Sequence, residues 1–570
     1  MKQIWRLRRP QRLLAIVAAS LVLLTGPVTA GASPPSKGIS LQPIGTYRDG
    51  AFDVSAAEIV AHDPDSQRLF VVNADPDGPA IDVLDITDPT SPALVKSITG
   101  LGGTPNSVDV NDGVVAVAVE NPVKDEPGEV VFFDTDGNEL NRVQVGALPD
   151  MLTFTPNGKW IVVANEGEPF AEFEGDTPGY DPGRDPVGSI SIIDIRRGVD
   201  RATVRTAGFE AFDARRAELV AQGVRLNPTV PTVSQDLEPE YISVSHDSRT
   251  AWAVLQEANA IAEIDLRRGV VTKISALGRK DHSLPGNGLD PSDKDGVAGI
   301  RPIDNVVGIH MPDGIANVRF RGQTYILTAN EGDARAYTGL TDESRVRSLR
   351  DITAGGSGPR ENALCEEEFP DRKNLIEEDE LGRLTVSTID GYDPVRNCYF
   401  ELHAFGARSF SVFTTDGELV WDSGDEFERV TRDAFPDFFN SGHDEVEFDN
   451  RSDNKGPEPE GITVEKLNGR TYAFIGFERI GGVITYDVTD PTRPVLVDYV
   501  NNRNFAAQLA GQVEAEETGR TFVPGPESGD LGPEGVTVIR ATDSPTKKTL
   551  VVVANEVSGT TTIFEVVQRR

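Results

Sequence analysis

Short apolar runs of six to eight residues recur along the whole chain. They are rich in Val, Ile, Thr and aromatic residues and are bounded by Gly, Asn, Asp or Pro, which is typical of β-strands. The clearest of them are RLFVVN, VVAVAVE, WIVVANE, AWAVLQE, TYILTANE, TYAFIGFE and TLVVVANE. Residues 209–223 instead carry apolar positions at three- and four-residue spacing, which predicts a helix.

The strands come in a repeated order, which predicts one all-β fold. Each of seven units opens with Pro or an acidic residue, runs a strand, turns, and runs a second strand that most often ends in Glu. This pattern predicts a seven-bladed β-propeller over residues 39–566, with insertions around 207–236, 277–310 and 336–398. The last unit lacks one outer strand, and ISLQPIGTY near the N-terminus is expected to supply it. Two packed β-sandwiches are the alternative, but they do not explain the fixed internal order.

The first residues have the composition of an export signal. A basic stretch, an apolar run of about a dozen residues and small residues before Ala32 predict a signal peptide over 1–32. Arg8 and Arg9 suggest twin-arginine export, but Pro10 and Gln11 fit that pattern poorly, so ordinary secretion is favoured. No later stretch is apolar enough to cross a membrane, and the ending FEVVQRR shows no anchor. A secreted, extracellular or periplasmic protein is expected.

Composition narrows the class of partner. The net charge is -36, from 91 acidic and 55 basic residues, which argues against nucleic acid or an anionic membrane. A small molecule or a surface polymer is the expected partner, and the chain is expected to be a monomer. The two cysteines, Cys365 and Cys398, are expected to form a disulfide in an oxidising compartment.

The repeat places acidic residues at equivalent corners. The end of a blade's second strand and the start of its first strand lie on the same face, so these residues are expected to meet near the central channel. One interpretation is that they accept hydrogen bonds in tight turns. The other is that the crowded carboxylates bind Ca²⁺, or Mg²⁺, because both prefer oxygen ligands. The predicted ligands are Glu166, Glu240, Asp313, Glu331, Glu460, Glu478, Glu534 and Glu556.

A second acidic stretch, DPSDKDG at 290–296, resembles a calcium loop. Asp290, Asp293 and Asp295 are followed by a glycine, but the spacing misses the EF-hand pattern. A polar surface loop is the alternative. Signatures of a serine hydrolase, a zinc peptidase or a P-loop are missing from the sequence. His443 is a possible ligand or acid/base group in a polar insertion.

Several phrases, taken together, resemble the choice-of-anchor I domain family. They include SQDLEPEYISVS, TANEGDARAY, FDNRSDNKGPEPEGITV and FIGFERIGGVITYDVTDP, and they run in order over most of the chain. The resemblance implies a secreted or surface propeller with phytase-like or alkaline-phosphatase-like labels. It suggests that bound cations polarise a phosphoester while Arg335, Arg451 and Lys455 bind phosphate oxygens. A Ca²⁺-stabilised extracellular binding or scaffold module is the favoured function, and a metal-dependent phosphoesterase is the alternative.

Overall fold

The computed structural model describes residues 38–569, except 51, 53, 171–178, 338 and 350–359. The predicted signal peptide over 1–32 lies outside the described residues. Strands provide most of the regular structure, so the all-β class predicted from the apolar runs is confirmed.

Within the described residues, seven antiparallel sheets have four strands each, and the strands follow the chain from inside to outside in all but the last. We number these sheets 1 to 7 along the chain. Their strands are, for sheet 1, Val60–Asp63, Arg68–Asn73, Ala80–Asp85 and Ala93–Ile98; for sheet 2, Pro105–Asn111, Val114–Val119, Pro127–Asp134 and Glu139–Ala147; for sheet 3, Pro149–Phe154, Trp160–Asn165, Ser189–Asp194 and Thr203–Gly208; for sheet 4, Pro239–Val244, Thr250–Leu255, Ala260–Asp265 and Val270–Ala276; for sheet 5, Ile315–Phe320, Gln323–Ala329, Phe410–Thr414 and Leu419–Asp422; for sheet 6, Pro459–Leu467, Arg470–Phe477, Val483–Asp487 and Val495–Val500; and for sheet 7, Pro533–Ile539, Leu550–Asn555, Thr560–Gln568 and Ile39–Arg48.

The outer strand of sheet 7 comes from the other end of the chain. Ile39–Arg48 pairs antiparallel with Thr560–Gln568, with Ile39 opposite Gln568 and Arg48 opposite Thr560. The sequence predicted this pairing, because the last unit lacked its fourth strand. The two ends of the described chain are therefore held in one sheet.

The sheets pack face to face around a common centre. The first strand of each sheet contacts the first strand of the next, and that of sheet 7 contacts that of sheet 1. An apolar cluster fills each of the resulting interfaces in the described chain. In the second strand of sheet 3, Ile161 and Val163 face sheet 2, whereas Trp160 and Val162 face sheet 4. Both faces of such a strand are buried, which explains the continuous apolar runs in the sequence.

The insertions build structure outside the seven sheets. One five-stranded sheet has the order Arg279–Asp281, Val306–Ile309, Leu402–Phe405, Thr385–Ser387 and Glu343–Arg345. Two small hairpins pair Ala336–Tyr337 with Leu340–Thr341 and Tyr392–Asp393 with Cys398–Tyr399. The insertion predicted around 336–398 implied that the fifth unit resumes directly after it, at ELHAFGARSFSV. Leu402–Phe405 instead pairs in parallel with Val306–Ile309, and the third strand of sheet 5 begins only at Phe410.

The helices are short and lie in the connections. The helix predicted over 209–223 is a 3-10 segment, Glu210–Arg215, followed by an α-helix, Arg216–Ala221. The longest, Phe505–Thr518, was missed. The remaining α-helices are Val233–Asp236, Arg372–Leu375 and Glu426–Ala434, and the other 3-10 segments are Pro182–Arg184, Val199–Arg201, Val346–Ser348, Arg360–Ala363, Pro436–Phe438 and Pro526–Ser528. None of the helices in the described ranges has the length and apolar character needed to cross a membrane.

The predicted disulfide is present. Cys365 and Cys398 are bonded, with their Cα atoms 5.1 Å apart, and both side chains are buried. The bond closes the third insertion beside the apolar cluster that contains Leu364 and Tyr399.

Candidate metal centre

Carboxylates stand at the start of the first strand in six of the seven sheets. We call them the inner-ring carboxylates: Glu58, Asp150, Glu240, Asp313, Glu460 and Glu534. Asn106 takes the equivalent position in sheet 2, and its side-chain amide donates to the carbonyl of Pro149, 3.3 Å away. Because the first strands contact one another around the centre, these groups converge as the repeat predicted.

A glycine follows the acidic residue in three of these openings and allows the close approach. A Cβ atom on Gly461 would overlap the carbonyl oxygen of Glu534, and one on Gly535 would overlap that of Glu58. Gly314 has the same relation to Glu460. The Gly535 N–H donates to the Glu58 carbonyl over 3.0 Å. The glycines therefore bring the carboxylates of sheets 5, 6, 7 and 1 side by side.

Four inner-ring carboxylates are surrounded mainly by other carboxylates. Burial raises the pKa of Glu240, Asp313 and Glu534 well above the usual range, and repulsion from neighbouring carboxylates raises each pKa further. Glu460 behaves in the same way, with Glu478 and Glu534 as its main neighbours. For Glu58, burial and Glu556 raise the pKa to about 8. The ionised ring is therefore unfavourable unless protons or cations neutralise it.

The buried oxygens of this ring lack partners. The Oε2 atoms of Glu240, Glu460 and Glu534 are buried and accept no hydrogen bond from the part of the chain that the structure describes. An unsatisfied buried polar atom costs about 1–3 kcal/mol, and more when it is charged. Three buried carboxylate oxygens of the described chain therefore carry this cost.

The ends of the second strands supply further carboxylates, which basic residues partly neutralise. Lys455 lies 3.5 Å from Glu331, and Arg479 lies 2.8 Å from Glu478. The members of this group are Glu120, Glu166, Glu257, Glu331, Glu478 and Glu556. Asp75 takes the corresponding position in sheet 1, but its Oδ1 accepts from the Asp77 N–H at 2.9 Å, as expected for a residue that only stabilises its turn.

Two groups of side chains have the spacing of metal ligands. Glu331, Glu458 and Glu478 place ligand atoms within 4.8 Å of one another, and so do His443, Glu478 and Glu556. At about 5 Å and an effective dielectric constant of 20, two carboxylates repel by about 3 kcal/mol. Such groups need a counter-cation, whether a metal or a basic side chain.

Glu458 was not predicted as a site residue, although a repeated tripeptide in the sequence points to it. The tripeptide EPE occurs twice, at 238–240 and 458–460, and each first Glu is buried against arginine. Glu238 accepts from Arg335 at 2.6 Å, and Glu458 accepts from Arg451 at 2.5 Å. Burial alone would raise the pKa of Glu458, but Lys455 and the two arginines 451 and 479 hold it well below its usual range.

The residues predicted to bind phosphate are engaged with protein carboxylates. Arg335 is buried between Glu238, at 2.6 Å, and Asp236, at 3.3 Å. Arg451 is paired with Glu458. Lys455 lies 2.9 Å from Asp333 and 3.6 Å from Glu458. Within the described chain, all three basic groups are therefore engaged by protein carboxylates.

His443 lies beside the same cluster. Its ring is 3.4 Å from Glu478 and 3.0 Å from an Arg479 nitrogen. Burial and the charge of Arg479 lower the pKa of His443 to about 4. The imidazole is therefore neutral at neutral pH, which is the form that binds a metal.

The predicted calcium loop at 290–296 brings together only two of its three aspartates. Asp290 and Asp295 do lie together, and Asp449 completes their group, with ligand atoms within 4.8 Å. Asp293 does not join them. Its carboxylate forms a salt bridge with Arg383 at 2.7 Å and another with Lys294 at 2.6 Å.

The fold and the site define an all-β protein built from four-stranded antiparallel sheets around an acidic centre. The sequence model of the choice-of-anchor I domain family matches residues 58–491, and the chain belongs to this family.

Two curated relatives are similar to parts of the chain. The mesenchyme-specific cell surface glycoprotein of Strongylocentrotus purpuratus is 27% identical over 324 residues, which cover 52% of this chain and 40% of the relative. Gigasin-3a of Magallana gigas is 30% identical over 194 residues, covering 33% of this chain and 64% of that protein. The chain thus spans less than two thirds of the length of either relative.

Among solved structures, the Cps50 (Swd1) β-propeller domain of Myceliophteria thermophila matches with a TM-score of 0.41 at 10% identity. That match covers 93% of this chain and 100% of that domain.

Proposed function

We propose that this protein is an extracellular seven-bladed β-propeller that binds a divalent cation on its acidic channel face, with Ca²⁺ preferred over Mg²⁺. It acts as a binding or scaffold module outside the cell. The seven four-stranded sheets correspond to the blades, because their first strands contact one another in a closed cycle and each interface has its own apolar cluster. The strand Ile39–Arg48 closes the ring.

Family and covalent chemistry support the extracellular location. The chain belongs to the choice-of-anchor I domain family, and Cys365 is disulfide-bonded to Cys398. Disulfides of this kind persist in oxidising compartments. A net charge of -36 also suits an environment rich in Ca²⁺.

The observation that carries the cation proposal is the set of three unpartnered oxygens. The Oε2 atoms of Glu240, Glu460 and Glu534 are buried at the channel. Glu460 is repelled by Glu478 and Glu534. Glu240 is repelled by Glu257 and Glu166. A hard cation with oxygen ligands removes both costs together. Ca²⁺ is favoured over Mg²⁺ because it tolerates irregular coordination by six to eight oxygens, whereas Mg²⁺ demands near-ideal octahedral geometry.

The geometry favours binding over phosphoester hydrolysis. A phosphoesterase needs basic groups available to the phosphate oxygens. Arg335, Arg451 and Lys455 are instead held by Glu238, Glu458 and Asp333. We therefore assign these three residues to positioning the carboxylates, and we do not propose the hydrolase.

Calcium binding by the purified protein tests this function. The protein is stripped with EDTA, dialysed and titrated with Ca²⁺ in a calorimeter. We expect Glu460→Gln to weaken Ca²⁺ binding at one class of site by about tenfold or more, because a charged ligand is lost. The matched control is Glu418→Gln, which changes an exposed residue in the hairpin between strands three and four of sheet 5.

Two results would overturn the proposal. One is a wild-type protein that binds no Ca²⁺ at millimolar concentration, or a Glu460→Gln variant that binds as the control does. The other is hydrolysis of p-nitrophenyl phosphate that disappears on chelation and returns with Ca²⁺, which would restore the phosphoesterase.

A further inference from the structure

Three carboxylates from two distant segments meet outside the channel. Asp290 and Asp295 belong to the insertion around 277–310, and Asp449 belongs to the segment that leads into sheet 6. Each offers an oxygen atom within 4.8 Å of the other two. Asp290 and Asp449 are almost completely buried, at 0% and 1% exposure. Oxygens at this spacing fit around one ion with metal–oxygen distances of about 2.3–2.6 Å.

Unpartnered buried oxygens give independent support for a ligand at this place. Asp449 Oδ1 accepts from the Ser452 hydroxyl at 2.5 Å, but Oδ2 has no hydrogen-bond partner among the described residues. Glu428 shows the same asymmetry. Its Oε1 accepts from Arg408 and Asn440, whereas its Oε2, fully buried, has no such partner.

The local charges leave an excess of negative charge. Arg408 is buried and forms an ion pair with Glu428 at 2.6 Å, so its positive charge neutralises that carboxylate. Its other N–H groups donate to the carbonyls of Asp290, Ser452 and Asn454. Burial and repulsion from Glu428 raise the pKa of Asp290 to about 7, and burial and repulsion from Asp290 raise that of Asp449 to about 8. Asp290 and Asp449 are therefore unfavourable as neighbouring anions unless a proton or a cation neutralises them.

The space beside the oxygens is kept open by Gly299. A Cβ atom there would lie 3.1 Å from Asp295 Oδ2 and 3.6 Å from Asp290 Oδ2. The Gly299 N–H also donates to Asp290 Oδ2. A side chain at this position would crowd the oxygens of Asp290 and Asp295.

We propose that Asp290, Asp295 and Asp449 bind one Ca²⁺ ion, separate from the channel face, that fastens the 277–310 insertion to the segment entering sheet 6. All three donors are hard oxygens, which suits Ca²⁺ rather than Zn²⁺ or copper. This site does not depend on the proposed channel function.

The ion would also position part of the channel rim. Asp449 is followed by Arg451, Lys455 and Glu458, which form the buried ion-pair group beside Glu331. A fixed Asp449 limits the conformations of this short segment, in the way that a cross-link limits a loop. Removal of the ion is therefore expected to loosen the segment from 449 to 458.

The test counts bound ions in the full protein. After EDTA treatment, the protein is equilibrated with Ca²⁺ by dialysis and its metal content is measured. We expect Asp449→Asn to bind one Ca²⁺ fewer per chain than wild type. Asp304→Asn, an exposed change in the same insertion, and Asp293→Asn are both expected to keep the full number. Glu460→Gln is expected to keep this ion. Loss of the ion held by Asp449 can therefore be distinguished from failure of the channel site.

The proposal is wrong if Asp449→Asn binds as many ions as wild type, or if Asp293→Asn loses the same ion. Should Asp449→Asn fail to fold, hydrogen exchange of the wild-type protein decides instead. Ca²⁺ is then expected to slow exchange at least threefold in peptides covering 290–299 and 449–458 relative to EDTA, in wild type and in Glu460→Gln alike. Equal exchange rates with and without Ca²⁺ would overturn it.

Discussion

At the scale of single residues, the ring depends on glycines as much as on carboxylates. Gly461 follows Glu460 and faces the carbonyl oxygen of Glu534 in the next sheet. A side chain there must push neighbouring first strands apart, because backbone rather than a flexible side chain is in the way.

Gly461→Ala is therefore expected to lower the free energy of unfolding by about 1–3 kcal/mol, the usual cost of overpacking. Urea unfolding measures the change, with Gly78→Ala as control because no atom lies within 4 Å of a Cβ at Gly78. Equal effects of the two substitutions would show that the close approach between the strands is not needed.

Site residues at repeated positions could be predicted from the sequence, whereas site residues outside the repeat could not. Glu460 and Glu534 were predicted to lie together because equivalent positions recur along the units, and the structure places them as neighbours. Asp449 lies in an insertion with no repeat, so nothing in the sequence pairs it with Asp290. Asp293 was grouped with its chain neighbours, but loop residues two or three positions apart point in different directions.

At the scale of elements, the chain closes its fold with one strand from its beginning. Leu41 in the strand Ile39–Arg48 is 4% exposed and packs in the apolar cluster between sheets 6 and 7. Gln42, the next residue, is exposed on the same strand. The strand thus contributes packing as well as hydrogen bonds.

We expect Leu41→Ala to lower the free energy of unfolding by about 2–5 kcal/mol, because a buried isopropyl group is replaced by a cavity. Gln42→Ala on the same strand should change it by less than about 0.5 kcal/mol. Denaturant unfolding followed by tryptophan fluorescence measures both. Similar small effects would mean that this strand is not part of the cooperative unit.

Strands that bury both faces could be predicted, whereas the insertion sheet could not. Its strands Arg279–Asp281 and Glu343–Arg345 have three residues each and are polar, so they carry no apolar period. The helix Phe505–Thr518 was missed because its apolar residues form no single face. Both elements are determined by contacts between distant segments.

At the scale of the whole molecule, the central issue is what neutralises the acidic channel. Without metal, burial raises the pKa of Glu58 to about 8 and that of Glu257 to about 7, so these two carboxyl groups are partly protonated at pH 7. These pKa values lie above the ordinary value of 4.5. The stability that such groups contribute to the metal-free protein is therefore present at low pH and lost as the pH rises through the raised values. In the proposed function, a bound cation would replace these protons.

Proton release on Ca²⁺ binding shows whether a cation takes the place of protons at the channel carboxylates. Calorimetric titrations at pH 7 in two buffers of different ionisation enthalpy give the number of protons released per bound ion, for wild type and for Glu460→Gln. We expect net proton release by the wild-type protein and a smaller release by the variant. Calcium uptake without proton release, or no uptake at all, would contradict a channel face that exchanges protons for a cation.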